Sequence, residues 1–176
     1  MKGSREDCQW IKSKLSDFIG RSLKMELSED KTLITHSSEY ARFLGYDVRV
    51  RRCDVVKRGG PGSVKKRTLN NSCEISIPLN YKIHRFIFSK GVAIQKSDGT
   101  IFPTHRKSLL RLTDLEIVSV YNAELRGICN YYGIGSNFDK LSYFAYLMEY
   151  SCLKTLANKH KSGISKVKTM FKDGKG

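Results

Sequence analysis

Residues 126–161, RGICNYYGIGSNFDKLSYFAYLMEYSCLKTLANKHK, hold the side chains best suited to chemistry, and that chemistry is recognition of a polyanion. Arg126 carries a guanidinium that either forks onto phosphate or a base edge or pairs with Glu124 or a neighbouring helix. Tyr131 and Tyr132 occupy adjacent helical positions and point in different directions, so one packs into a core and the other is exposed to stack. The sequence leaves open which is which. Lys154, Lys161 and Lys168 recur every seven residues, and Lys159 and Lys166 repeat the spacing beside them. On an unbroken helix they form a phosphate rail; the alternatives are a solvated face or a break at Ser162-Gly163. Thr155 either touches phosphate or bonds back to its own helix. His160 follows the apolar stripe of Leu153, Leu156 and Ala157, which favours a hydrogen-bonded structural role over a ligand contact. No comparable cluster of catalytic residues occurs elsewhere in the chain.

The composition points the same way. In 176 residues, 32 Lys and Arg face 17 Asp and Glu, a net charge of +15 that draws the chain to polyanions by counterion release and steering. The length fits one domain or two small ones, and a 40% hydrophobic content excludes wholesale disorder. Five scattered cysteines (Cys8, Cys53, Cys73, Cys129, Cys152) form no CxxC pair, and the four histidines show no ligand spacing. We expect reduced thiols, no metal site and no disulfide framework. The N-terminus lacks an apolar signal core and no window reaches ~18 apolar residues. We therefore expect a protein that neither spans a membrane nor is secreted.

These groups need elements to position them. In residues 1–52, Cys8, Ile11, Leu15, Phe18 and Ile19 predict a helix over 7–23, followed by short strands at 24–27 and 32–36 and a stronger one at 41–50. Trp10 is read as a packing residue, and Gly45 as a bulge or a site of close backbone approach. Residues 53–78 read as a basic connector. Arg51, Arg52, Lys65, Lys66 and Arg67 surround Gly59-Gly60-Pro61-Gly62, and 64–69 pairs with 73–77 across Asn70-Asn71. It is either a solvated loop or an arm that orders on RNA. Residues 79–176 read as helical: a helix from Pro78 to near Gly91, an unassigned stretch at 102–112, then a helix opened by the capping box Thr113-Asp114-Leu115-Glu116. A second long helix over 138–158 buries Leu141, Phe144, Ala145, Met148, Leu153 and Leu156, and a third starts after Gly163. The fold class is α+β, with a partial sheet region followed by a three-helix bundle.

LKMELSEDKTLITH, ARFLGYDVRV, YNAELRGICNYYG and YSCLKTLANKHKSGISK together resemble the C-terminal part of the group II intron-encoded maturase/reverse transcriptase family. The resemblance implies that residues 1–52 are the end of a reverse-transcriptase palm and 79–176 the thumb-like domain X. It also implies that the partner is group II intron RNA, which the protein helps to fold and splice. Arg126, Tyr131, Tyr132, Lys154, Thr155, Lys159, Lys161, Lys166 and Lys168, with the basic connector, are then RNA contacts. Lys31 and Gly45 fall in a primer-grip-like scaffold. The family's Tyr-Ala-Asp-Asp hairpin has no counterpart here, since the sequence contains no Asp-Asp pair. Two-metal polymerisation is therefore not expected of this chain alone, and Mg2+ belongs to the absent polymerase site and to the intron RNA. No cofactor is expected of the chain itself.

Three functional readings follow: a splicing factor, a polymerase part that needs an N-terminal reverse-transcriptase half, or a degenerate relic of an intron. Self-association through uncovered palm surface is also expected. The implied location is the bacterial cytoplasm, or an organelle matrix if the gene is organellar.

Overall fold

Capping decides where the first helix begins. Ser4 Oγ accepts the Asp7 N–H at 3.2 Å while the Asp7 carboxylate accepts the Ser4 N–H at 2.7 Å, a reciprocal box that opens α1 (Arg5–Leu23). The helix ends at Lys24, whose left-handed backbone (φ 52°) cannot continue it. The computed structural model describes residues 4–53, 57–58, 62, 65–66 and 70–171, with 57, 58, 65 and 66 described by backbone alone. The chain divides into two units, Met1–Ala41 with Arg49–Cys73, and Arg42–Val48 with Glu74–Gly176.

In the first unit α1 buries none of its residues, and Trp10, read from sequence as packing, is 64% exposed. The strands expected at 24–27 and 32–36 do not form. The intervening turn closes instead, with the Lys31 and Thr32 amides both donating to Ser28 O, and Lys12 Nζ reaching Thr32 O at 2.6 Å. Extended segments without a ladder partner leave their amides to water, and no partner strand exists for them among the described residues.

The connector also pairs differently from the expectation. β3 (Lys57–Arg58) and β4 (Lys65–Lys66) form an antiparallel hairpin that sets Lys57 opposite Lys66 and Arg58 opposite Lys65. Asn71 is left-handed (φ 57°) as its type allows, but it reverses the chain toward Arg51: the Asn71 amide donates to Arg51 O and the Arg51 amide to Ser72 O. Asn70 clasps the Cys53 backbone, accepting its N–H at 2.6 Å and donating to its carbonyl at 2.8 Å.

The second unit contains the core. β1 (Ala41–Phe43), β2 (Tyr46–Val50) and β5 (Cys73–Ser76) form a sheet in the order β1-β2-β5. The expected single strand over 41–50 is thus a hairpin. Leu44 (φ 47°) and Gly45 (φ 80°) make its two-residue turn, the geometry that matches strand twist. After Pro78 a π-helical turn (Leu79–Ile83) leads into α2 (His84–Ser89), which stops before Gly91 (φ 67°). The stretch unassigned from sequence contains half of a second hairpin: β6 (Ala93–Gln95) pairs antiparallel with β7 (Ile101–Pro103).

Thr113 and Glu116 form the expected capping box of α3 (Asp114–Tyr131). α4 (Leu141–Lys159) packs against both α3 and α5 (Ile164–Met170). Its buried face comprises Leu141, Phe144, Leu147, Met148, Ser151, Thr155, Leu156 and Ala157, so Ala145 and Leu153 of the expected stripe lie at its edge. Phe86 meets Phe144 edge-to-face at 5.9 Å. The fold is α+β, and no helix among the described residues is long and apolar enough to cross a membrane.

Candidate nucleic-acid interface

A buried polar network fixes the frame on which the basic side chains sit. Tyr121 of α3 places its hydroxyl 2.8 Å from Ser151 Oγ and 3.1 Å from Thr155 Oγ1 of α4. Ser151 donates to Thr104 O, and Thr155 Oγ1 accepts the Arg106 amide while donating to Ser151 O. Arg106 is buried and forks onto Glu124, with Nη1–Oε2 at 2.7 Å, and lies over the Tyr121 ring. Such a network is stable only when nearly every member is satisfied. It pins the strand leaving β7 to both long helices. Burial raises the Tyr121 hydroxyl's pKa, keeping it a neutral donor.

Thr155 therefore takes the second of its two sequence readings. It is wholly buried and bonds back to its own helix. Lys159 also faces inward: Nζ donates to Leu112 O at 2.6 Å and to Asp114 Oδ1 at 2.7 Å. His160 Nε2 donates to the other Asp114 oxygen at 2.7 Å, the structural role read for it. The Lys159 hydrogen bond foremost, with His160 behind it, holds the Asp114 carboxyl below its ordinary value. Together they tie the end of α4 to the start of α3, where a carboxylate also complements the helix dipole.

The seven-residue lysine spacing is not carried by one helix. α4 ends at Lys159, Lys161 is left-handed (φ 47°), and α5 restarts after Gly163. Lys161, Lys166 and Lys168 are exposed, and Lys168 Nζ stands 5.1 Å from the Tyr150 ring centre. Lys154 is partly buried, donating to Pro103 O at 2.7 Å and lying 3.7 Å from the Phe102 ring centre. Burial first, and Lys96 second, lower its pKa.

Arg126 is exposed on α3 and forms no ion pair among the described residues, because Glu124 is taken by Arg106 and Lys90. Tyr132 is the core member of the tyrosine pair and Tyr131 the exposed one, at 6% and 55%. Tyr131 nevertheless has partners. Its hydroxyl donates to Leu44 O and its ring stacks on Tyr46 at 5.8 Å, while Tyr46 donates to Tyr131 O. A Cβ built on Gly45 would stand 3.0 Å from the Tyr131 hydroxyl, so glycine serves here both for its positive φ and for close approach.

Of the other sequence candidates, Arg52 is exposed and Nη2 reaches Ser37 Oγ at 3.4 Å; Arg51 is half-buried. Lys31 is exposed on its turn. Lys65 and Lys66 lie in β4, and Arg67 falls outside the described residues.

Sequence reasoning missed Lys96, Phe102 and His105. These residues join Lys154, Lys161 and Asn158 around the β6–β7 hairpin, where a groove of 550 Å³ is lined by Phe102, His105, Lys154, Asn158 and Lys161 among others. A signal for them existed: Asp98-Gly99 between two apolar runs is a hairpin turn, and Gly99 takes φ 82°. A larger groove of 790 Å³ lies beside α3 and α4. Its lining is mainly apolar, with Val118, Leu125, Leu153, Phe171 and Cys152, a thiol that burial pushes up to about 11, and it includes the carboxylate of Glu149 and no lysine or arginine. The described residues gather no three His, Cys, Asp or Glu side chains that could hold a metal ion.

Residues 70–175, which include this frame and its lysines, match the type II intron maturase family. The chain belongs to that family. This maturase-family chain is 67% identical, over its whole 176 residues, to the group II intron-encoded protein LtrA of Lactococcus lactis subsp. cremoris, of which it covers 29%. It is 32% identical over 97% of its length to the COX1/OXI3 intron 1 protein of Saccharomyces cerevisiae, covering 20% of that relative. Maturase K of Chara vulgaris matches 40% of the chain at 38% identity, with 14% of that relative covered. The chain thus spans less than a third of the length of these relatives.

Proposed function

We propose that this chain binds group II intron RNA and assists its folding for splicing, the RNA itself carrying out the transesterifications. The observation that carries this reading is the family match over 70–175. It falls on a segment where Arg126, Lys154, Lys161, Lys166 and Lys168 have no carboxylate partner among the described residues. Cations left without acids are available to phosphate, and each phosphate contact should steepen the salt dependence by roughly 0.7–0.9 log units per log unit of salt.

In this reading residues 79–176 are the thumb-like domain X, with α3–α5 as its bundle. Residues 53–78 are a basic arm, and 1–52 are the end of the palm, with Lys31 and Gly45 near a primer-grip-like scaffold. Tyr131 is held by Leu44 O and Tyr46 and is assigned to that junction, while Thr155 and Lys159 position the lysines and Arg126 meets RNA. The site of action is the bacterial cytoplasm or an organelle matrix.

Equilibrium binding to a group II intron RNA and to a size-matched structured control, at two salt concentrations, tests the proposal. Preferential intron binding that persists at the higher salt is expected. Equal binding that collapses together would overturn it.

A second reading, as one part of an RNA-directed DNA polymerase, rests on the resemblance of the sequence to the maturase/reverse transcriptase family. The described residues cluster no carboxylates that could hold the two Mg2+ ions, so the metal chemistry would belong to an N-terminal reverse-transcriptase half. Mixing the chain with such a half and measuring primer extension decides it, and no extension would sink this reading.

A further inference from the structure

Two ammonium groups share one aromatic ring. Lys154 Nζ lies 3.7 Å and Lys96 Nζ 4.6 Å from the centre of the Phe102 ring. The two charges therefore stand within about a Debye length (~8 Å) of each other, close enough to repel. No carboxylate lies within ion-pair reach of either, or of Lys161, among the described residues. Lys154 is also partly desolvated, and one of its three donors is spent on Pro103 O.

A single ring compensates this pair only in part, since a cation over an aromatic face gains ~0.5–2 kcal/mol. The groove beside them adds His105, Asn158, Lys161 and Ser162, whose hydroxyl is buried without a hydrogen-bond partner. The arrangement is stable against its own repulsion once an anion enters.

We propose that the groove between the β6–β7 hairpin and the end of α4 is a phosphodiester seat, in which Lys96, Lys154 and Lys161 hold one backbone phosphate of the RNA and Phe102 holds Lys96 and Lys154. This rests on the RNA-binding reading and adds to it the ligand group at this groove. A phosphate fits better than a stacked base. The Phe102 ring already carries an ammonium at 3.7 Å, so a base would have to displace it, and a phosphate would not.

The test uses the intact chain and the variants Lys96→Ala, Lys154→Gln, their double and Phe102→Leu, each checked for an unchanged thermal melt. Lys96 is exposed, so its variant keeps the fold even where Lys154→Gln does not. Intron RNA affinity is measured across a salt series, and pyrophosphate is titrated while the Phe102 ring signals are followed by NMR. Lys96→Ala should lower the salt slope by about one phosphate's share, ~0.7–0.9. The double variant should lower it no further, because both lysines serve one phosphate. Pyrophosphate should shift the Phe102 signals in the parent chain and not in Lys96→Ala.

RNA binding with an unchanged slope in Lys96→Ala and in the double variant would overturn the seat while leaving RNA recognition intact. Additive slope losses would replace one shared seat by two independent contacts. A large loss in Phe102→Leu with the slope preserved would turn the groove into a base-stacking site. If intron RNA is not preferred at all, the splicing reading falls, and the pyrophosphate titration still decides whether the seat exists.

Discussion

α1 and α4 are both nineteen residues long and both carry apolar side chains at helical spacing, yet α1 buries none of its residues and α4 buries eight. Trp10, Leu15, Phe18 and Leu23 remain exposed on α1, while Phe144, Leu147 and Ser151 on α4 are fully enclosed. The difference teaches that an apolar stripe is an offer which only a partner completes. α4 has α3, α5 and β7 around it, and every residue of the buried core belongs to the second unit. α1 rests on its capping box and on Lys12, which reaches the neighbouring turn.

The comparison breaks most severely at α4. Phe144→Ala should destabilise the second unit by about 3–5 kcal/mol, the cost of a large core truncation, measured by chemical denaturation. A loss below about 1 kcal/mol would mean that α4 is not the centre of the core. Thr155→Val, nearly isosteric, removes the hydroxyl that accepts the Arg106 amide and bonds Tyr121; it should cost about 1–3 kcal/mol. If it instead weakened RNA binding with stability unchanged, Thr155 would be a contact and not a strut. Gly45→Ala should cost about 1–3 kcal/mol, from positive φ and from crowding of the Tyr131 hydroxyl, and should melt the β1–β2 hairpin first, as read by amide hydrogen exchange.

A smaller effect is expected with pH. The Asp114 carboxyl has its pKa lowered in the folded chain, so its contribution is present above the unfolded value, 3.8, and is lost as pH falls through the folded one. Melting temperature should therefore fall in acid below pH 4, and less steeply in Asp114→Asn. Equal slopes would show that Lys159 and His160 do not tie α4 to α3 through this carboxylate. The smallest effect belongs to α1: Phe18→Ala should change stability by no more than about 0.5 kcal/mol. A larger loss would show that the α1 stripe has a covering partner in solution.

Thr113–Glu116, the apolar period of α4, the stop at Gly91 and the left-handed Asn71 were legible because each depends on residues within one turn or one helix. The strands expected at 24–27 and 32–36 failed for the converse reason. A strand exists only with its neighbour, and pairing is a long-range fact. The same limit hid the site. The lysines at 154, 159 and 161 look alike in sequence, but one caps a ring, one ties two helices together and one is exposed.

The sequence by itself determined the strongly basic balance, the helices and their caps, and the motifs that mark an intron maturase, because charge, local propensity and short-range hydrogen bonds are properties of neighbouring residues. Only the tertiary structure decided which cations are spent inside the fold. It is the packing of α4 against α3 and β7 that brings Asp114 to Lys159 and Phe102 to Lys154, and the path of the chain after β7 that brings Arg106 to Glu124. Those contacts join residues far apart in the chain, and no local pattern specifies them.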